Sequence, residues 1–496
     1  MQKTYNKFVA IIGSKQFFWV IVILFILQAA WFALSARFPM AFDEAYHLAN
    51  IQIYSHQYSP FFNKQPAGPL TYGPLVHNTS FLYHYLMSYP YRLIRMHTYN
   101  LKIQVTILRF IDIALFTWSL VIFRRILLKL KDEPAVANLS ILVFTLIPIV
   151  PFLAGQINYD NLGIPLIALS ILWSIKFVEQ LRKKQQINLP LLFGALIVVT
   201  LASMVSYLFL PFFASITLYL SYVVFRFGHA NTKKFKNAVK YSIHKTSRIK
   251  KALIVIVFAI SVVLFIESYG INIVKFHNPI PQCNQLLSSE LCSTYAPWNR
   301  NNIAAHSNVH VDINPIRYTA SWLDGMYERM VFTINGPSGS EGYANPQPLP
   351  ILNYSLIFFV GFGIILFLKY GLDLIKKNPY LKFILFIDFV FVISLWGRNY
   401  HDYINLKQLI AINGRYLLPI TIPIIFIIGL CYKKLLSNHH LLIIGTTFIV
   451  LICLLQGGGV LSFINASDDN WYWTSSPIII HINNDSHNFI KPLLIQ

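Results

Sequence analysis

The chain has 496 residues, of which 55% are hydrophobic and only 12% are charged, and its mean hydropathy is +0.54. Soluble domains carry about a quarter of charged residues, so this composition excludes an ordinary soluble protein and indicates a membrane protein. The net charge of +21 does not indicate a nucleic-acid partner, because nine of the forty basic residues lie in one acid-free segment, 226–251. The positive-inside rule predicts a cytoplasmic loop there, facing lipid headgroups.

The first half of the chain predicts six membrane helices. The first apolar run, Phe17 to Ala36, follows lysines and has no small-residue cleavage site, so it predicts a retained helix with a cytoplasmic N-terminus. A long outer loop follows over 37–102, and its part 81–96 is amphipathic enough for an interfacial helix. The later helices of this half are predicted at 103–123, at 136–153, from Asp160 to Lys176, and as two short helices within 190–225 that precede the basic loop.

The second half begins with a helix at 252–269 and a second large outer loop at 270–350. This loop holds four basic and five acidic residues, a balance unlike that of the cytoplasmic segments. Cys283 and Cys292 lie within it, and on an oxidising face they can close a small disulfide loop; two free thiols are the alternative. A short surface helix is predicted at 315–332, followed by a turn-rich stretch at 336–339.

The remaining helices are predicted at 351–370, 383–396, from 414 onwards and at 441–461, with an outer loop at 397–413. The prediction is thus an all-α polytopic membrane protein, a single integral membrane domain over 1–496 with about eleven transmembrane helices. Two large outer loops carry short interfacial helices. Such a chain belongs in a membrane as a multi-pass protein.

An acid pair, Asp43 and Glu44, follows the first predicted helix, and the next carboxylate along the chain is Asp112. Two solvated charges at a helix start are the common explanation of such a pair. Ionisable groups at a membrane helix end are nevertheless costly and usually functional. A carboxylate there can act as a general base or ligate a divalent cation, and His47 is close in sequence.

Two further polar clusters are predicted on the same outer side. Asp160 with Asn158 follows the third helix, and Arg415 with Tyr416 opens a late one. Each residue also has a structural explanation: Asp160 can be the N-terminal cap of its helix, and Arg415 can be an arginine that extends to the membrane interface. An arginine at a helix start can also clamp a phosphate with two hydrogen bonds.

Two other arginines complete the sequence-based predictions. Arg398 in the loop 397–413, His47 and Asn158 are further candidates for substrate binding. Arg109 lies inside the second helix, and Asp112, one turn on, is its predicted partner in a structural ion pair.

Three short stretches resemble the GT-C superfamily of membrane glycosyltransferases, which includes protein O-mannosyltransferases, aminoarabinose transferases and many bacterial proteins. They are Phe42-Asp43-Glu44 after the first helix, Pro148 with Asn158-Tyr159-Asp160 after the third, and Gly414-Arg415-Tyr416-Leu417-Leu418-Pro419 before a late helix. The resemblance covers most of the chain as a pattern of loops. There is no large soluble domain after the last helix and no WWD-type motif, which argues against an oligosaccharyltransferase.

The resemblance implies a polyprenyl-phosphate sugar donor, an outward-facing site and inversion at the sugar carbon. It implies three catalytic carboxylates: Asp43 as the general base, Glu44 beside it, and Asp160, which orients the acceptor or a metal. It also implies that Arg415 binds the donor phosphate. Tyr416 would line the lipid groove. A divalent cation, Mg²⁺ or Mn²⁺, on Asp43 and Glu44 is an open alternative, as are a glycan, a lipid and a protein as the acceptor.

The implied location is a bacterial inner or plasma membrane. A transporter or flippase for a lipid-linked sugar or another amphiphile is the main rival. That rival would predict inverted repeats and charges near the membrane midplane, and no internal repeat is visible in the sequence.

Overall fold

The computed structural model describes residues 2–66, 71–230, 232–307, 311–331, 350–437, 439–467 and 471–494. Within these ranges the chain is helical and forms no strand, apart from one isolated bridge between Ala36 and Tyr472. The turn predicted at 336–339 lies outside the described residues.

The helices of the first half of the chain are α1 (Gln2–Gly13), α2 (Lys15–Ser35), α3 (Glu44–Tyr54), α4 (Leu82–His97), α5 (Leu101–Leu130), α6 (Pro134–Thr145), α7 (Ile149–Ala154), α8 (Asp160–Lys184), α9 (Leu189–Val205), α10 (Tyr207–Ala230) and α11 (Thr232–Lys245). The helices of the second half are α12 (Arg248–Phe276), α13 (Cys283–Leu286), α14 (Ser289–Ser293), α15 (Ala296–Ala305), α16 (Pro315–Val331), α17 (Pro350–Lys377), α18 (Pro379–Leu406), α19 (Gly414–Leu435), α20 (His440–Leu455), α21 (Leu461–Ala466) and α22 (Pro477–Ile490).

The long apolar helices make the chain a multi-pass integral membrane protein. Among the described residues, eight helices are long and apolar enough to cross a membrane: α2, α5, α8, α10, α12, α17, α18 and α19. Three shorter apolar helices, α6, α9 and α20, fall below that length. The structure therefore confirms the all-α membrane class but does not confirm about eleven spans.

Helix α8 lies at the centre of the bundle and α12 at its edge. In the most apolar stretch of each helix, 78% of the residues of α8 are buried inside the protein, compared with 6% of those of α12. Helix α8 packs on α5 and α9, and α5 packs in turn on α2. Because lipid tails replace the missing protein contacts around α12, its apolar surface needs no further protein cover.

Several boundaries differ from the sequence prediction for local reasons. The predicted third helix is split into α6 and α7, since Pro148 and Pro151 lack amide donors and interrupt the helical hydrogen bonds. Helix α18 runs on to Leu406, so the predicted loop 397–413 is helical over its first half. The predicted basic loop 226–251 is also largely helical, in α10, α11 and α12.

The two large loops pack over one end of the bundle. The first loop, 37–102, contains α4, which was predicted, and α3, which was not. The second loop contains α13, α14, α15 and the predicted α16, and Cys283 and Cys292 form a disulfide within it. Asn272 at the end of α12 donates a hydrogen bond to the carbonyl of His77 in the first loop, at 3.2 Å. We call this end of the bundle the loop end.

Candidate functional site

The turn between α2 and α3 carries the acid pair in a strained backbone. Phe42 and Asp43 have φ angles of +62° and +71°, in the left-handed region that non-glycine residues rarely adopt. The carbonyl of Phe42 accepts hydrogen bonds from the Asn158 amide at 3.1 Å and from Arg415 at 3.3 Å. Two consecutive residues of this kind cost about 1–3 kcal/mol each and commonly mark functional sites. Because Asp43 makes no side-chain capping bond to α3, its carboxylate is left free for other contacts.

Asp160 is the first residue of α8. The Asn158 side chain accepts a hydrogen bond from the Asp160 amide at 3.0 Å, so Asn158 holds the turn and is itself fully buried. A carboxylate at a helix N-terminus is favoured by the helix dipole. Asp160 is 2% exposed, and its Oδ2 atom has no hydrogen-bond partner in the described part of the chain.

Arg415 enters the same region from the 3₁₀ turn Gly414–Leu417 that opens α19. The Asn413 side chain accepts a hydrogen bond from the Arg415 amide at 3.1 Å and fixes the turn. A Cβ atom on Gly414 would clash with the carbonyl oxygen of Met326 in α16, so the close packing requires glycine. This packing explains why glycine precedes the buried arginine.

The three side chains meet at the loop end. Arg415 Nη2 lies 3.6 Å from Asp43 Oδ2, and Arg415 Nε lies 3.7 Å from Asp160 Oδ2. Charge-assisted hydrogen bonds are usually about 2.7–2.9 Å long, so both contacts are loose ion pairs. The Arg415 and Asp160 side chains are 3% exposed and that of Asp43 is 67% exposed. The structure thus brings together residues from three distant segments, with one carboxylate open to solvent and one buried.

An aromatic wall surrounds the guanidinium. It lies 5.3 Å from the ring centre of Phe42, 5.2 Å from Tyr416 and 5.8 Å from Tyr159. Tyr295 follows the disulfide loop, and its burial, together with Tyr207 and Asp43, raises the pKa of its hydroxyl to about 12. The sequence prediction named Tyr416 alone. The other rings, Phe42, Tyr159 and Tyr295, come from three separate segments, and no local pattern could have joined them.

Glu44 does not belong to this open site. Its carboxylate is 0% exposed and receives two hydrogen bonds at 2.8 Å from Arg109. The backbone amides of Met40 and Ile157 donate to it as well, at 2.6 and 3.1 Å. With four donors on two oxygen atoms, Glu44 is a structural anchor and the prediction that it is catalytic is not supported by its position.

The predicted Arg109–Asp112 ion pair is wrong. Arg109 pairs with Glu44, and its remaining donors reach the carbonyls of Ala36 at 2.6 Å and Ala33 at 3.3 Å. Asp112 instead accepts a hydrogen bond from the Tyr83 hydroxyl at 2.7 Å.

His47 lies beneath the site rather than on its surface. It is 0% exposed, its Nδ1 atom lies 2.9 Å from His84 Nε2, and its ring meets that of Tyr159 edge-on at 4.8 Å. Burial, His84 and Arg415 all lower the pKa of His47, so the ring is neutral. A fully buried ring cannot contact substrate in this conformation, which favours a supporting role over the predicted substrate-binding one.

Arg398 lies on α18, away from the Asp43 contact. Its guanidinium stacks over the ring of Tyr207 at 4.4 Å, and its Nε atom is 3.9 Å from Asp402, one turn along the helix. The side chain is 45% exposed. Tyr207 therefore links Arg398 to the aromatic wall, while direct substrate contact by Arg398 stays a prediction.

The donor set does not fit a metal ion held by Asp43 and Glu44. Both Glu44 oxygens are already occupied by Arg109 and two backbone amides. The Arg415 guanidinium lies between Asp43 and Asp160, where it already supplies the positive charge. Within the described residues no group of three or more histidine, cysteine, aspartate or glutamate side chains could hold a metal.

Comparison with known proteins adds no family: no protein-family model matches the sequence, and no curated protein is significantly similar to it.

Proposed function

We propose that the chain is a membrane glycosyltransferase of the GT-C type, which transfers a sugar from a polyprenyl-phosphate donor to a hydroxyl group of an acceptor. One observation carries this proposal: Arg415 lies between a buried carboxylate, Asp160, and an exposed one, Asp43, at 3.7 and 3.6 Å. A buried arginine with loose contacts can exchange them for a phosphate, which it binds in a planar, two-bonded geometry.

In the proposed reaction, Asp43 takes the proton of the acceptor hydroxyl. The acceptor oxygen then forms a bond to the sugar carbon on the face opposite the donor phosphate, while the bond from that carbon to the phosphate oxygen breaks. The configuration at this carbon is inverted. A positioned general base typically contributes 10²–10⁴-fold to the rate.

Arg415 would stabilise the departing phosphate, whose charge grows as the bond breaks. Asp160 keeps the guanidinium in place and, being buried, holds it against α8. The surrounding rings limit water around the charged groups, which strengthens their interaction. The lipid tail of the donor can remain in the bilayer, since only its head group has to reach the loop end.

The orientation of the protein is part of the proposal. The basic segment 226–251 would face the cytoplasm together with the N-terminus, and the loop end would face the outer side of a bacterial inner or plasma membrane. A disulfide in the second loop is consistent with an oxidising compartment on that side.

The direct test is transfer by the purified chain in nanodiscs, with a panel of radiolabelled polyprenyl-phosphate hexoses and pentoses and cell-envelope extract as the acceptor. Asp43→Asn should abolish release of polyprenyl phosphate without lowering the melting temperature, because Asp43 is exposed and makes only a loose contact. The matched control is Asp324→Asn on α16, which removes the same charge from another exposed position and should retain activity.

Two results would contradict the proposal. One is full transfer by Asp43→Asn, which would show that this carboxylate is not the base. The other is absence of transfer by the native chain from every donor of the panel, which would exclude a lipid-phosphate sugar as its substrate.

Transport of an amphiphile is the second candidate, and Asp388 favours it. This residue lies inside the apolar helix α18, is 5% exposed, and its Oδ2 atom has no hydrogen-bond partner among the described residues. Ionisable groups within membrane helices often mark a transport path. If transport is the function, Asp388→Asn should stop movement of a fluorescent lipid-linked sugar across proteoliposomes, whereas Asp43→Asn should not.

A further inference from the structure

A polar cavity lies at the loop end, and neither Asp43 nor Arg415 lines it. It has a volume of about 190 Å³, lies between the first loop and the end of α12, and is partly open to the surface. The first loop supplies Phe61, Phe62, Asn63 and His77, and α12 supplies Glu267. Sites for drug-sized molecules are larger, roughly 300–1,000 Å³, so this cavity has room for one small ring-shaped unit.

The α12 wall of this cavity has an unusual backbone. The stretch Ile266–Gly270 forms a π-helical turn, and such turns occur frequently at functional sites. Glu267 lies in that turn, and its side chain makes no hydrogen bond or ion pair to any described residue. It is partly buried, so its carboxylate lines the cavity with both oxygen atoms available as acceptors.

The chemistry of the lining is that of an uncharged polar ligand. Glu267 and Lys275 contribute opposite charges. Burial and Lys275 lower the pKa of His77 by more than Glu267 raises it, so His77 adds no positive charge at neutral pH. A phosphate would need a net positive lining. A carboxylate, an amide and an ammonium beside the apolar faces of Phe61 and Phe62 instead suit a molecule with many hydroxyl groups and one apolar face.

The cavity is linked to the proposed site by α3. Phe62 packs against Tyr54 with ring centres 5.0 Å apart, and Tyr54 is the last residue of α3. Asp43 immediately precedes this helix. Helix α3 has eleven residues, and at a rise of 1.5 Å per residue its two ends are about 16 Å apart. This distance corresponds to the length of several linked sugar rings.

We propose that this cavity is a saccharide-binding subsite that holds one ring of an acceptor glycan, several units away from the ring that receives the new sugar. As an acceptor subsite it rests on the proposed glycosyltransferase function. It implies that the acceptor is an extended, uncharged oligosaccharide or polysaccharide rather than a single sugar, a simple lipid or an unmodified protein. Glu267 and Asn63 would bind hydroxyl groups, and Phe62 would pack on the face of the ring.

The test uses the full-length chain in nanodiscs on a printed array of neutral linear oligosaccharides of graded length, including maltose-series and chitobiose-series oligomers. The best-retained oligomer is then labelled, and its Kd is measured for the native chain and for variants. Glu267→Gln should weaken binding about tenfold or more, because it removes a charged acceptor. Asn63→Ala should weaken binding as well, and because Asn63 is exposed the substitution leaves the packing of the fold intact.

Two control variants separate this inference from the proposed reaction. Glu290→Gln removes an exposed carboxylate of the second loop outside the cavity, so it should leave the Kd unchanged. Asp43→Asn should also bind the oligomer normally while failing in transfer. If the native chain binds the oligomer but transfers sugar from none of the donors, the glycosyltransferase proposal is refuted, while the cavity remains a saccharide-binding site.

Three outcomes would overturn the inference. The first is that the array retains no oligomer. The second is that Glu267→Gln and Asn63→Ala both bind as the native chain does. The third is that binding is lost in Asp43→Asn but kept in Glu267→Gln. The last result would place the glycan in the Arg415 site instead.

Discussion

Two buried arginines lie at the loop end, and their surroundings differ. Arg109 is 0% exposed, and its guanidinium makes two hydrogen bonds of 2.8 Å to Glu44 and reaches two backbone carbonyls. Arg415 is 3% exposed, lies 3.6 and 3.7 Å from Asp43 and Asp160, and donates one hydrogen bond of 3.3 Å to the Phe42 carbonyl. Its Nε atom has no hydrogen-bond partner in the described chain. We call Arg109 with Glu44 the closed centre, because its hydrogen bonds are complete. We call Arg415 with Asp43 and Asp160 the open centre, because it is incompletely paired.

The difference separates a structural role from a functional one. Burying an arginine is costly, and full pairing with hydrogen bonds offsets that cost for Arg109. Arg415 keeps part of its binding capacity unused and faces an exposed carboxylate. A site that has to accept a charged ligand needs such unused capacity, because donors already saturated by the protein cannot be offered to a substrate. Substitutions at each centre test whether the two differ as the geometry indicates.

The largest effect is expected at the closed centre. Glu44→Ala leaves Arg109 buried without its counter-charge, which should cost about 3–5 kcal/mol of stability. Thermal denaturation and size-exclusion chromatography in detergent measure the loss. Replacing both partners, as Glu44→Met with Arg109→Leu, should recover part of it, since no unpaired charge remains but the amides of Met40 and Ile157 still lose their acceptor. If Glu44→Ala melts like the native chain but no longer transfers sugar, Glu44 is catalytic and the closed centre is not merely structural.

Exchanging each arginine for lysine sharpens the distinction. Arg415→Lys keeps the charge but loses the planar fork, so transfer should fall about 10²–10³-fold, the usual effect of losing a transition-state donor. Its melting temperature should change little, because both ion pairs of Arg415 are long. Arg109→Lys should lower the melting temperature markedly. Equal losses of stability in the two variants would mean that both arginines are structural.

A smaller effect is expected from the disulfide that borders the open centre. Cys283→Ser should destabilise the small loop locally by about 2–3 kcal/mol, because the covalent closure is lost. Tyr295, whose amide donates to the carbonyl of Cys292, should then be less well placed beside Asp43, and transfer should fall severalfold. Hydrogen exchange of the loop and initial transfer rates measure the two effects. Cys453→Ser, which removes a free thiol elsewhere, is the control and should change neither.

The fold was predictable where the chain is long and apolar. Membrane thickness demands about twenty apolar residues per span, so α2 was found close to both of its observed bounds, and α5 and α8 were found close to their observed starts. Helix α3 was missed because its hydrophobic and polar residues follow no clear helical stripe. The extension of α18 through Arg398 and Asp402 was missed for a related reason, since polar residues after an apolar helix look like a loop.

The open centre was partly predictable, and the closed one was not. Asp43, Asp160 and Arg415 were expected on one side of the membrane because alternate helix ends share a side, and the structure brings them together. The partner of Arg109 was mistaken because the sequence offered a carboxylate one turn away. Glu44 lies 65 residues away in sequence, and a pairing of that separation leaves no local signal.

The smallest effect is expected from the histidine pair beneath the two centres. Burial lowers the pKa of His84 to about 3, and the pKa of His47 is lowered as well, so both rings bind protons more readily in the unfolded chain. Stability is therefore complete above the ordinary histidine pKa of about 6.5 and decreases as the pH falls below it. His84→Gln keeps a polar atom near Nε2 but cannot take up a proton, so its melting temperature should fall less than that of the native chain between about pH 6.5 and 5. Parallel melting curves would show that burial does not keep His84 neutral in the folded chain. A shallower curve for the variant would show that proton uptake by His84 on unfolding causes part of the loss of stability at low pH.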